Sequence, residues 1–410
     1  MFEQPLGKKY SRFVNALIFI FPVVINLLQV AGDIVLLILA IMGIYIAISK
    51  KLSPFKINEI KVFSYLTIGY FTTICLSVIF SGQAVELAHY IPRDFYFLFA
   101  PFIALAFYKA EININFLIFG VKVSLLVLGG LIFYQLMTDP ELLRPSGVMN
   151  PGVFGNLAVA LFFTALAFFK QESFRNKILT SLSLISGLFI IIASGTRGAW
   201  LSFFLLLGVY LYFLYKRKIK LSTLSKIITV AVIGTILSFG SLFSNVLLDR
   251  INPVSSEISI WMSGAQKLTP IGLRLEMYNE AINNIEDVPF FGYGLRTSNI
   301  SLFKNTRSEI GIVSSRFNHL HNAFLTNYYN GGILLLGTLV SILLVPCVIF
   351  IKANIQNREN PIFIAGAFLT IGYASFGMVN ILLGDTYMNG FYTFFLAIFM
   401  LITAKSIKAR

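Results

Sequence analysis

Three short stretches of this 410-residue chain gather side chains that can do chemistry together. The first is SGTRGAW, residues 194–200, a glycine-bearing turn around Arg197 between two apolar runs. Each run has 16 or 17 residues, roughly 25 Å as helix and barely the depth of a hydrocarbon core. The turn must therefore be tight, with Arg197 at the interface. A guanidinium there is poorly hydrated and attracts an anion; the alternative is an arginine that snorkels to lipid headgroups. The second stretch is TPIGLRLEMYNEAINNIEDVPFFGYG, residues 269–294. Thr269 predicts a helix N-cap and Pro270 the first helical position. Ile271, Leu275, Tyr278, Ile282 and Ile285 recur at steps of four and three, which predicts one apolar stripe laid against an embedded body and a stop before Pro289. Arg274 falls in the first turns, where the helix dipole favours an anion. The alternative is an interfacial helix whose arginine touches lipid phosphates. The third stretch is RFNHLHNAFLTNYYNGGILLLG, residues 316–337, with His319 and His321 between Asn318 and Asn322. Imidazole takes a proton near neutral pH, and an Asn neighbour can orient the ring. The alternative is a structural histidine at an interface.

The elements that must position these groups follow from composition. Hydrophobic residues make up 57% of the chain and charged residues 12%, about half the charge of a soluble domain. Mean hydropathy is +0.81. Apolar runs span residues 13–31, 33–49, 62–80, 93–108, 115–135, 153–169, 178–193, 199–215, 224–244, 331–351, 361–383 and 386–404. At about 20 residues per crossing these predict an all-α integral membrane protein of about twelve transmembrane helices. Residues 1–244 then hold nine helices, residues 245–323 one long loop containing helices, and residues 324–410 the last three helices and the C-terminus.

Basic residues set the orientation. Lys8, Lys9, Arg12, Lys50, Lys51, Lys56, Lys61, Lys109, Lys122, Lys170, Arg175 and Lys177 fall in or beside alternate connections. So do Lys216, Arg217, Lys218, Lys220, Lys226, Lys352, Arg358, Lys405, Lys408 and Arg410, making 22 of the 32 basic residues. The positive-inside rule puts these segments and both termini in the cytoplasm and the long loop in the periplasm. The other ten are Arg93, Arg144, Arg197, Arg250, Lys267, Arg274, Arg296, Lys304, Arg307 and Arg316, eight of them Arg. Topology needs only positive charge, which Lys supplies; Arg adds a planar fork that grips phosphate oxygens bidentately. An arginine-rich outer face fits a phosphate-bearing ligand, and lipid headgroups with local salt bridges are the alternative, because the long loop has seven acidic residues against seven basic ones.

Other classes fit poorly. The net charge of +14 lies in topology-setting positions, which argues against nucleic acid. Three His residues and scattered carboxylates show no metal-ligand spacing, and no nucleotide-binding glycine motif occurs, so neither metal nor cofactor is expected. Cys75 and Cys347 lie in separate apolar runs, giving no disulfide framework. The run after Arg12 does not read as a cleavable signal peptide. Lys122 alone lies clearly within a span, whereas proton-coupled transporters carry ionisable groups near mid-membrane.

With SGTRGAW, GLRLEMY followed by PFFGYG, and HLHN with GGILLLG downstream, the chain resembles the O-antigen ligase and polymerase superfamily of bacterial membrane glycosyltransferases. RPSGVMNPGVFGN, residues 144–156, resembles the Asn-Pro segment that this family places on its outer side. The resemblance implies transfer of glycan from an undecaprenyl-pyrophosphate donor to an acceptor hydroxyl outside the cytoplasm, with inversion and without metal. It implies Arg197 and Arg274 on the donor pyrophosphate and His321 as general base beside the acceptor hydroxyl. Tyr278, His319, Asn322, Arg144, Arg296 and Arg316 are candidate assisting residues. The HLHN form and compact length resemble a ligase joining O-antigen to lipid A-core in a bacterial inner membrane. An O-antigen or capsule polymerase is the same-class alternative and a lipid-linked-glycan transporter the different-class one.

Overall fold

In lipid an apolar segment satisfies its backbone by closing hydrogen bonds within itself, so such segments form helices. The computed structural model describes residues 5–83, 91–139, 142, 144–216, 244–264, 268–304 and 309–408. Among these residues the regular elements are helices. The first eight are α1 (Lys8–Leu27), α2 (Gln29–Ser49), α3 (Lys61–Phe80), α4 (Phe95–Tyr108), α5 (Ile114–Thr138), α6 (Pro151–Phe168), α7 (Phe174–Ala193) and α8 (Arg197–Lys216). After them come α9 (Ser244–Met262), α10 (Pro270–Asn283), α11 (Ser298–Leu302), α12 (Glu309–Ser315), α13 (Ala323–Gln356), α14 (Pro361–Gly377) and α15 (Thr386–Lys408). Among the described residues nine helices are long and apolar enough to cross a membrane: α1, α2, α3, α5, α6, α7, α8, α13 and α15. Helix α14 is apolar but shorter. The predicted run 224–244 lies outside the described residues except for Ser244, which opens α9.

Helices α6 and α15 form the centre, with 94% and 72% of their apolar windows buried inside the protein. The others surround them: α1 packs on α5 and α2, α2 on α4, and α13 on α3 and α14. Small residues allow the closest approaches. A Cβ on Gly43 of α2 would stand 1.9 Å from the Phe102 carbonyl oxygen of α4. Aromatic rings fill the centre, Phe21 of α1 stacking on Phe394 of α15 with centroids 3.9 Å apart. Lys122 is buried and ion-paired with Glu172, so its charge is compensated locally.

Two predicted boundaries and one predicted face differ in the structure. The run 361–383 stops being helical at Gly377. There Asn380 N–H bonds back to the Phe376 carbonyl, Gly384 takes φ +124°, and Asp385 caps α15 by accepting from Met388 N–H at 3.2 Å. Leu382 and Leu383 are buried by protein without being helical, which hydropathy alone cannot distinguish from lipid burial. The run expected to open at Gly331 belongs to a helix that begins at Ala323. Gly331 and Gly332 break it, and Gly332 has φ +63°. The carbonyls freed at the kink are satisfied by the PFFGYG segment, Tyr293 N–H bonding to Tyr329 at 2.8 Å and Gly294 N–H to Asn330 at 2.9 Å. Two of the sequence motifs thus meet as donor and acceptor at one break.

The third difference concerns α10, whose cap forms as predicted: Thr269 Oγ1 accepts from Gly272 N–H at 3.0 Å, with Pro270 first in the helix. Its buried face is different from the predicted stripe. Gly272, Glu276, Met277 and Ala281 point inward, while Ile282 is 59% and Ile285 38% exposed. Met277 and Ala281 pack in a small cluster with Phe303, Leu320 and Tyr329. The elements that cover α10 lie on that side, and periodicity cannot say where they will be.

Candidate active site

The turn between α7 and α8 places Arg197 at the first position of α8. Gly195 takes φ +58°, which completes the reversal. Thr196 Oγ1 donates to the Pro151 carbonyl at 2.9 Å, tying the turn to the Asn-Pro segment, where Asn150 caps α6. Arg144 braces the same turn, its Nε donating to the Ser194 carbonyl at 3.2 Å and a terminal nitrogen to Thr196 Oγ1 at 3.0 Å. Arg144 therefore supports the turn that carries Arg197. Arg197 itself is partly exposed, with Nη1 3.7 Å from the Glu257 carboxylate and a buried Nε that makes no hydrogen bond among the described residues.

Glu257, on α9, joins Arg197 to the next element. Its second oxygen accepts from the Ile271 N–H at 2.9 Å, at the open N-terminus of α10. Trp261, one turn further along α9, donates its indole N–H to the buried Glu276 of α10 at 2.9 Å. Helix α9 is thus pinned along α10 by two carboxylates. Arg274 and Tyr278 follow Ile271 on α10 at positions where one turn lies above the next.

The Tyr278 hydroxyl donates to the His321 carbonyl at 2.9 Å. His321 has φ +51°, a left-handed conformation that few non-glycine residues adopt. Its ring lies 4.4 Å, centroid to centroid, from His319 and 5.3 Å from Phe317. The Nδ1 of His321 is buried and makes no hydrogen bond among the described residues. Burial holds the imidazole far below its ordinary range, reinforced by His319 and by the Arg274 guanidinium, and His321 is pushed down to about 3. Burial and Arg274 push His319 down to about 4. Both rings are neutral near pH 7, the form that accepts a proton, and Arg274 stands within electrostatic reach of both.

Residues 378–380 form a common seat. Asn322 donates to the Met378 carbonyl at 3.3 Å, and a Cβ on Gly198 would meet the Val379 side chain at 2.6 Å. The neighbour of His321 and the neighbour of Arg197 therefore rest on adjacent residues of one turn. From Ile271, beside Glu257, to Tyr278, beside His321, α10 rises about 10 Å at 1.5 Å per residue, with Arg274 between. Arg197 and His321 are thus tied to opposite ends of the stretch of α10 that carries Arg274.

The other candidates take separate places. Asn322 is the N-cap of α13, accepting from Phe324 N–H at 3.0 Å and Leu325 N–H at 3.1 Å. Ring orientation by an Asn falls instead to Asn318, whose Oδ1 is 2.6 Å from His319 Nδ1. Arg316 and Lys304 are exposed, and Arg296 lies at a neighbouring cavity. Lys267, Arg307 and the side chain of Arg250 lie outside the described residues. Among the described residues no three His, Cys, Asp or Glu side chains gather as a metal-binding group. Sequence reasoning missed Glu257, Trp261 and the 378–380 seat. A lone carboxylate in a stretch read as loop carries no local signal, and its partner Arg197 is distant in sequence.

Residues 182–340, which hold Arg197, Arg274 and His321, match the family model described as O-antigen ligase. The resemblance read from the three motifs is thereby shown over that stretch. The chain is also 26% identical over 374 residues to an uncharacterized protein of Haemophilus influenzae, an alignment that covers 86% of this chain and 89% of that protein. The family match and the apolar helices together support a multi-pass membrane protein with a glycosyltransferase-like activity of ligase or polymerase type.

Proposed function

We propose that this chain, whose residues 182–340 match the O-antigen ligase model, is an inverting O-antigen ligase. It transfers undecaprenyl-pyrophosphate-linked O-antigen to a sugar hydroxyl of lipid A-core at the periplasmic face of a bacterial inner membrane. About twelve helices cross the membrane, both termini are cytoplasmic and the segment 245–323 is periplasmic. The observation that supports the reading is the shared seat at Met378 and Val379, against Asn322 and Gly198, with Arg274 on α10 between Ile271, which binds the Glu257 that faces Arg197, and Tyr278, which binds His321.

In this scheme Arg197 and Arg274 hold the donor diphosphate as paired forks. The attacking hydroxyl loses its proton to the His321 imidazole as its oxygen bonds to the anomeric carbon. The bond from that carbon to the diphosphate oxygen breaks, and undecaprenyl pyrophosphate leaves with the electron pair. Fixed guanidiniums stabilise the charge that develops on it. Attack from the face opposite the leaving group inverts the configuration. The low proton affinity of His321 acquires a purpose here. A diphosphate neutralises Arg274 and adds negative charge nearby, and both effects raise the imidazole toward the range of an effective base.

The test is transfer by the purified protein from lipid-linked O-antigen to rough lipopolysaccharide. Formation of the inverted glycosidic bond with release of undecaprenyl pyrophosphate supports the proposal. Deletion of the gene separates ligase from polymerase: unattached lipid-linked polymer accumulates for a ligase, whereas single repeat units appear on lipid A-core for a polymerase.

A further inference from the structure

At the ends of α6 and α7 far from the Arg197 turn lies a separate cavity of ≈ 640 Å³, lined by Asn115, Phe119, Lys122, Glu172, Asn176 and Asn360 among others. Helix α6 runs 18 residues from its cap at Asn150, beside the Arg197 turn, to Phe168 at the cavity. That is about 27 Å at 1.5 Å per residue. The cavity is therefore distinct from the arginine and histidine region. Its size lies within the range of sites that take small ligands, about 300–1,000 Å³.

Its floor is a buried ion pair. Lys122 donates to one Glu172 oxygen and Thr180 to the other, with the Lys122 and Glu172 side chains 4% and 10% exposed. Burying such a pair is repaid only when its remaining protons and lone pairs are also satisfied. An ammonium has three donors and a carboxylate about four acceptor sites, so both groups can bind beyond these contacts. The first turns of α5 and α7, carrying Asn115 and Asn176, and the N-cap of α14, Asn360, border the same space. Helix N-termini carry partial positive charge and attract phosphate. Among the described residues that line the cavity, Lys122 is the one cation and Glu172 the one anion. A ligand that carries both signs complements such a lining better than one of either sign alone. Phe116 and Phe119, 44% and 49% exposed, give the neighbouring face of α5 an apolar surface for lipid.

We infer that this cavity binds the headgroup of a phospholipid bearing a phosphate diester and a primary ammonium. The phosphate lies on Lys122, the ammonium on Glu172, and the acyl chains along α5 at Phe119. On the orientation proposed above, the lipid comes from the cytoplasmic leaflet. A quaternary ammonium has no N–H to give Glu172, and an anionic headgroup brings uncompensated negative charge against that carboxylate. Phosphatidylethanolamine therefore fits, and phosphatidylcholine and phosphatidylglycerol do not. The bound headgroup bridges the starts of α5, α7 and α14.

The test titrates the purified full chain in detergent with short-chain phosphatidylethanolamine, phosphatidylcholine and phosphatidylglycerol, reading binding by native mass spectrometry and by the shift in thermal unfolding. Phosphatidylethanolamine should bind ~10-fold or more tighter than the other two, the scale of one charged hydrogen bond, and raise the unfolding temperature as its concentration passes Kd. Lys122→Met with Glu172→Gln removes both charges together, an exchange that buried pairs often tolerate. It should weaken phosphatidylethanolamine binding ~10- to 100-fold. Asn176→Leu, at an exposed position, keeps the ion pair and should weaken the same binding ~2- to 10-fold, the range for one neutral hydrogen bond. That variant decides the matter if the double variant fails to fold. Absence of phosphatidylethanolamine binding, equal binding of the three headgroups, a preference for either rival, or full binding by either variant would overturn the inference. None of these outcomes depends on transfer activity or on orientation in the membrane.

Discussion

The turn that carries Arg197 and the loop that carries His321 rest on adjacent residues, Val379 and Met378, yet are held very differently. Around Arg197 the backbone is locked into the helical core: Thr196 reaches the Pro151 carbonyl, Arg144 binds both Ser194 and Thr196, and Ser194 is fully buried. Around His321 support comes from one tyrosine hydroxyl, one threonine (Thr326 Oγ1 accepting from Leu320 N–H at 3.0 Å) and a satellite cluster of Met277, Ala281, Phe303, Leu320 and Tyr329. On the mechanism proposed above, a cation that holds a diphosphate benefits from a fixed frame and a base that responds to its arrival benefits from a lighter one, so the contrast separates a rigid electrostatic half from a responsive proton-accepting half.

Mutations should break the two halves in distinguishable ways. Replacing His321 by Ala removes the base, and transfer should fall by ~10²- to 10⁴-fold, the range for general-base catalysis, with membrane insertion and thermal stability unchanged. Normal amounts of polymer-bearing lipopolysaccharide in cells carrying that variant would remove His321 from the mechanism. Arg197→Lys keeps the charge and loses the fork, and should cost ~10²-fold or more, measured as kcat/KM for the donor. Wild-type activity there would show that charge alone suffices.

The pH profile sharpens the responsive half. In the free protein His321 is pushed down to about 3, so kcat/KM for the donor should stay level from pH 8 to pH 5. In the donor complex the imidazole is raised and protonates sooner, so kcat should fall on the acid side at a higher pH than kcat/KM. Coincident acid limbs would mean that the donor does not act on His321. Tyr278→Phe releases the His321 carbonyl and should lower kcat about tenfold, near the upper end for one hydrogen bond, with little change in donor KM. A rise in donor KM instead would assign Tyr278 to the diphosphate. Smallest is Glu257→Gln, which still accepts from Ile271 N–H but no longer competes with an anion for Arg197. Its donor KM should fall by up to about fivefold, the scale of a partly exposed ion pair; a rise would make Glu257 a support of Arg197.

What could be read in the sequence follows the range of the interaction involved. The helix start at Thr269 rests on a contact three residues away, and Arg197, Arg274 and His321 stood in local motifs. The outward-facing Ile282 and the non-helical Leu382 and Leu383 depend on neighbours far along the chain. The same is true of Glu257 against Arg197 and of Arg144 against Thr196. Periodicity shows that a face is apolar; it does not show which element will cover it.

The central claim is that Arg197 and Arg274 hold one diphosphate while His321 stands on the far side of the anomeric carbon. His321→Ala should bind the lipid-linked donor without turning it over, which makes the complex accessible to cryo-electron microscopy. We expect diphosphate density in contact with both guanidiniums, with the anomeric carbon between it and position 321. Density elsewhere, or a donor that leaves either arginine untouched, would contradict it.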